Sequence, residues 1–145
     1  MDVIKQQDHV EAVAGRLVEV APPGWVRLVG NWEATLDDRG SPVLNFLTLA
    51  VIDGGDRWLY GQVDYDETLY DLVAAFNRWS DGQGPNRRWT VLDLEVDADG
   101  SYRTEFGYDE PKRSNGNMDQ ESLGRFEDYL ETWVAVHGPA PRAAS

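Results

Sequence analysis

The chain contains no cysteine, only two lysines (Lys5 and Lys112), two histidines, and no apolar run of membrane-spanning length. Without cysteine there is no disulfide, no thiol nucleophile and no cysteine-type zinc site. The apolar run from Phe46 to Ile52 falls far short of the roughly 20 residues that cross a bilayer, and nothing resembles a signal peptide. The expectation is a soluble, cytoplasmic protein with no membrane partner. Cations are scarce as well. Thirteen Lys and Arg stand against 26 Asp and Glu, a net charge of -13. Direct binding to nucleic acid requires clustered basic side chains and is not expected of such a chain. An acidic balance favours solubility and steers basic partners instead. A glycine-rich phosphate loop is also missing, since "SDGQGPNRR" has neither Walker nor Rossmann spacing.

What is present is aromatic and strongly patterned. Six Trp, six Tyr and four Phe in 145 residues, with 41% hydrophobic content, indicate one folded domain over residues 1–137, with 138–145 as a frayed tail. Ile4, Val10, Val13, Ala14, Leu17 and Val18 recur at helical spacing until Pro22-Pro23-Gly24. Val26, Leu28, Trp32, Ala34 and Leu36 alternate with polar residues as a strand. Val43 to Ile52 reads as a more deeply buried strand and Arg57 to Gln62 as a third, with Asp-Gly turns between them. Leu69, Leu72, Val73, Phe76 and Trp79 mark a helix that Asp66 can cap, with Glu67 favourable in its first turn. After a loop from Ser80 to Arg88, Thr90, Leu92, Leu94 and Val96 form a strand. It is paired through Asp97-Ala98-Asp99-Gly100 with the alternating stretch Ser101 to Tyr108. A last helix from about Asp119 is expected to bury Leu123, Phe126, Leu130, Trp133 and Val134. The order α-β-β-β-α-β-β-α, built on hairpins, predicts an α+β fold: an antiparallel five-stranded sheet, a three-stranded meander plus a hairpin, with three helices.

Catalytic and metal motifs are sparse. His9 and His137 have no nearby residues that suggest a nucleophilic triad, and His137 suits a helix C-terminus. "EVDADG" imitates the start of a calcium loop, but the position that needs a bidentate Glu is Phe106, so the segment is a hairpin turn. No metal and no cofactor is expected. Glu33, Glu105, Asp109 and Glu110 could supply paired carboxylates for a small hydrolase or a carbohydrate-binding domain. A regulatory adaptor is a further alternative. The more distinctive pattern is acid interleaved with tyrosine. "DYDETLYD" holds Asp64, Tyr65, Asp66 and Glu67 and no cation, while Asp93 to Glu110 carries seven acids against Arg103 alone and ends in Tyr108, Asp109 and Glu110. Tyrosine adds contact area at low entropic cost, so these seven residues, Asp64 to Glu67 and Tyr108 to Glu110, are candidates for binding a basic protein.

"PPGWVRLVGNWEAT", followed by "RRWTVLDLEVDADGSYRTEFGYDEP", resembles the YezG-like immunity proteins, the antitoxins of bacterial polymorphic toxin systems. The resemblance is carried by Pro22, Trp25 and Glu33, then Trp89 and Thr90, Asp99 and Gly100, and Phe106, Tyr108 and Asp109. It implies a non-enzymatic inhibitor that binds the toxic domain of a cognate effector, often a basic nuclease. Trp25, Trp89 and Phe106 are then expected in the core.

Overall fold

The computed structural model describes residues 3–111 and 125–140. Helix α1 (Val3–Glu19) leads into strands β1 (Trp25–Leu36), β2 (Pro42–Asp53) and β3 (Trp58–Gly61). Helix α2 (Glu67–Asp81), strands β4 (Val91–Asp97) and β5 (Tyr102–Gly107) and helix α3 (Tyr129–His137) follow. The fold is α+β with one antiparallel five-stranded sheet in the order β3-β2-β1-β4-β5, so the meander and the hairpin join where β4 pairs with β1. A further helical turn at 125–127 precedes α3, a fourth helical piece where three helices were expected.

Helix α2 starts where the sequence places its cap: the Asp66 carboxylate accepts the Leu69 N–H at 2.8 Å. Leu69, Val73 and Phe76 then fall on one buried face. Across the sheet, Phe46, Trp32, Leu92 and Phe106 stand in register as one row beneath the helices. Trp89 is 1% exposed and meets Phe76 edge to face at 5.6 Å, while Trp25 and Phe106 pack partly buried against the same core. Gly30 is required by Trp32, because a Cβ there would lie 2.2 Å from the indole ring. One polar pair completes this core. Buried Asn77 donates to the Trp89 carbonyl at 2.7 Å, and Ser80 Oγ accepts the Trp89 N–H, which ties the 82–88 loop to α2.

The opposite face carries a second, smaller core in which Val29, Leu49 and Val51 pack with Tyr129 and Trp133 of α3. Two-sided burial explains the near-continuous apolar run of β2. It also ties down the start of the expected tail: Trp58 Nε1 donates to the Gly138 carbonyl at 3.0 Å, and Ala140 is buried. The expected start of the last helix at Asp119, and Leu123 within it, lie outside the described residues, as do tail residues 141–145. Five apolar residues of the sequence patterns are exposed, Leu36 (50%) and Val43 (45%) at the turn end of the β1–β2 hairpin among them. Ile4 is 75% exposed and Val18 39%, because their side of α1 turns away from α2; Val134, next to the buried Trp133, falls on the solvent side of α3.

Two substitutions test this packing. Trp89→Ala should lower unfolding free energy by about 3–5 kcal/mol in chemical denaturation, the range for a large aromatic removed from a filled core. Gly30→Val should cost about 1–3 kcal/mol by displacing the Trp32 ring, and the same measurement with a tryptophan fluorescence shift reports it.

Candidate functional site

The expected binding residues occupy two places. In the first, Asp64 to Glu67 crosses from β3 to α2. The Tyr65 ring stacks on Phe46 at 6.0 Å and lies 6.1 Å from Tyr70, whose hydroxyl accepts the Leu44 N–H. Tyr65 stays 64% exposed, with Asp64 and Glu67 exposed beside it. The depression beneath these rings, floored by Trp32 and Val63, leaves about 10 Å³ of free space. That is room for about one water, far below the several hundred Å³ of a small-molecule site. The surface is therefore an aromatic platform edged by carboxylates.

Asp66 behaves differently from its neighbours. Its two carboxylate oxygens accept from Arg16 Nε and Nη2, both at 2.8 Å, and it caps α2 as well. The hydrogen bonds from Arg16, then the Leu69 N–H, hold its pKa below the usual carboxylate range. Asp66 thus clamps α1 to the start of α2, and its charge is already matched within the chain.

The second place is the end of β5. Thr90 Oγ1 donates to the backbone carbonyls of Gly107 and Asp109, so the chain leaves the sheet in a fixed direction, with Tyr108, Asp109 and Glu110 exposed. Sheet order separates the two places. Tyr65 sits over β2 and Tyr108 follows β5, three strand spacings or roughly 14 Å away. The proposed carboxylate set is divided too. Glu33 is buried on β1, and β4 lies between it and Glu105.

Between them lies an ion-pair network that corrects the charge count made from sequence. Asp93, Glu95 and Asp97 occupy alternate positions on β4, facing α3. Arg27 on β1 binds Asp97 at 2.7 Å and Glu95 at 3.5 Å. Arg103 on β5 binds Glu95 at 2.9 Å and Asp97 at 3.1 Å. Arg125 reaches Asp93 and, at 2.6 Å, Glu95. The segment therefore meets three arginines rather than one. Arg27 also lies 4.9 Å from the Trp133 ring centroid, and the same ring stacks on His137 at 3.7 Å and meets Trp58 edge to face at 5.5 Å. Burial pushes Glu95 upward, but hydrogen bonds from Arg103 and Arg125 and the charge of Arg27 outweigh it and leave its pKa lowered. Asp97 is lowered the same way, against burial, by Arg27 and Arg103.

These directions matter for chemistry. A glycosidase-type general acid needs a raised pKa. The groove of about 350 Å³ formed by Asp93, Glu95, Arg103, Thr104, Glu105 and Arg125 instead holds Glu95 with its pKa lowered, and Asp93 and Glu95 both bound to arginine. His9 stacks on Phe76 at 5.1 Å, and burial lowers its pKa. Asp99 accepts from Ser101 in a turn closed by Gly100 at φ 91, and among the described residues no group of three or more His, Asp or Glu is placed to hold a metal. Arg27 and Arg125 could not be assigned from local spacing, since their partners lie 30–70 residues away.

Because Asp66, Glu95 and Asp97 have lowered folded-state pKa values, their contribution to stability is full above the ordinary carboxylate range. It is lost as pH falls through their folded values. Thermal melts should therefore hold a constant midpoint down to about pH 5 and decline steeply below about pH 4, and Arg27→Met should flatten that decline. An unchanged acid profile in the variant would contradict this assignment.

Comparison with known protein families finds no matching family model, and comparison with curated proteins finds no relative.

Proposed function

We propose that the protein is an immunity-type inhibitor: it binds the toxic domain of a cognate polymorphic toxin, most simply a basic nuclease, and neutralises it by stoichiometric contact. One observation carries the reading. The acids of β4 are matched by arginines within the chain, whereas Asp64 and Glu67 form no ion pair among the described residues and flank an exposed tyrosine on an aromatic platform. Such a surface offers contact area and uncompensated negative charge together, the complement of a phosphate-binding cleft. Tyr108, Asp109 and Glu110 present the same chemistry at the far side of the sheet. The resemblance to YezG-like immunity proteins points the same way, and the protein acts in this scheme without catalysis or cofactor.

The experiment is co-expression with the C-terminal domain of a toxin-like protein encoded beside it, read as growth rescue and a complex of fixed ratio. Rescue without a stable complex, or neither with a folded and toxic partner, would overturn the pairing. Within a complex, Asp64→Lys with Glu67→Lys should weaken affinity at least about tenfold and reduce its salt dependence, while circular dichroism shows a folded domain whose melting temperature falls by only a few degrees, the loss of the Glu67 charge from the first turn of α2. Asp66 is left out of that variant because its reversal would break the Arg16 clamp and unseat α2.

A further inference from the structure

Strand β5 is an edge strand, and its register decides which of its groups face outward. The Ala34 N–H donates to the Thr90 carbonyl, which puts the even-numbered residues of β4 in the ladder with β1 and its odd-numbered ones in the ladder with β5. In β5, Arg103 and Glu105 therefore bond inward to β4. The N–H and C=O groups of Tyr102, Thr104 and Phe106 point outward, and among the described residues no backbone group pairs with them. An edge of this kind is a template for another strand.

We propose that this edge pairs with itself: two copies of the chain associate through antiparallel β5 strands, with Thr104 on the two-fold axis. Antiparallel pairing about Thr104 brings the outward groups of Tyr102 and Thr104 against those of Phe106 and Thr104 in the second copy, so the hydrogen-bonding positions coincide. It also sets Arg103 opposite Glu105 of the second copy, twice by symmetry, in the non-hydrogen-bonded pairs where side chains approach most closely. Tyr102 meets Phe106 on the other face. The alternatives are discriminated against. A shift of the axis to residue 103 sets arginine against arginine, and a shift to 105 sets glutamate against glutamate. Glu105 is exposed with no ion pair among the described residues, and the Arg103 side chain remains 54% exposed beyond its bonds to Glu95 and Asp97.

Helix α1 supplies a second observation. His9 and Arg16 face α2, through Phe76 and Asp66, while Glu11 on the opposite side accepts from the Tyr102 hydroxyl at 3.4 Å. Ile4 and Val18 are each seven residues from Glu11 and share its stripe. These two exposed apolar side chains lie on the face of α1 that carries Glu11 toward Tyr102, about two helical turns on either side of it. Their placement, unexplained by the monomer's core, fits a contact that the dimer covers.

Sedimentation velocity over a concentration series into the millimolar range, with NMR of the labelled full chain, tests the proposal. Wild type should show reversible monomer–dimer exchange, with concentration-dependent shifts and slowed exchange at the amides of Tyr102, Thr104 and Phe106. Thr104→Pro removes an outward N–H without touching the β4 ladder and should abolish the dimer. Glu105→Arg places guanidinium groups opposite one another and should raise the dimer dissociation constant roughly tenfold or more. Circular dichroism confirms folding, and the charge variant and amide shifts decide the matter if the proline variant is unstable. A folded wild type that stays monomeric throughout overturns the proposal. So does a dimer whose amide shifts lie elsewhere, or one that Glu105→Arg leaves at wild-type affinity.

Discussion

The pairing of β1 with β4 is the contact on which the remainder of the molecule depends. Residues 25–36 and 91–97 are far apart in sequence, and loop closure on that scale is repaid only if both faces of the new seam are satisfied. On the helix side, Leu28, Trp32, Leu92, Leu94 and Val96 are buried, each large apolar side chain contributing about 1.5–3 kcal/mol of burial. On the other side the same register sets Arg27 against Asp97 and brings Glu95 within reach. A slip of one residue would turn the leucines outward and the carboxylates into the core. The seam thus fixes register twice, once by apolar burial and once by charge.

That seam changes the meaning of the chain's acidity. A net charge of -13 suggests a uniformly negative surface, but the densest acidic strand is compensated by Arg27, Arg103 and Arg125. The Arg27 pairs are mostly shielded, with the Arg27 side chain 17% exposed, so they are worth more than the outer bridges from Arg103 and Arg125, and removing Arg27 would leave Asp97 without its buried partner. Negative charge available to a partner is correspondingly concentrated elsewhere, including the stretch around Tyr65.

The fold was legible because its information is local. Apolar alternation, Asp-Gly turns and the Asp66 cap each act over a few residues, and together they specify the element order. Less legible was anything that depended on which strand lies beside which. Val29 and Leu49 sit on the odd-numbered face of β1 and β2, and α3 covers them from about 80 to 100 residues away; their apolar character was the available signal that the sheet is buried on both sides. Asp66 shows the same limit at a single residue. Its capping role was readable from its place before Leu69, whereas its bidentate bond to Arg16 spans fifty residues and could be seen only once α1 lay against α2.

Sheet order also separates the two acid and tyrosine segments by their relation to the open edge. In a dimer paired through β5, the Asp64–Glu67 platform lies beyond β2, three strands from the axis, and both copies keep it accessible. Tyr108 to Glu110 leaves the sheet four residues from Thr104, directly after the strand that pairs. A bulky partner seated there would meet the second copy, whereas one seated on the Tyr65 platform would not. The two segments thus predict different stoichiometries with the proposed toxin domain. Engagement at Asp64 and Glu67 gives two toxin domains on an intact dimer, and engagement at Asp109 and Glu110 gives one toxin domain on each dissociated monomer. The mass of the purified complex separates these arrangements without any substitution.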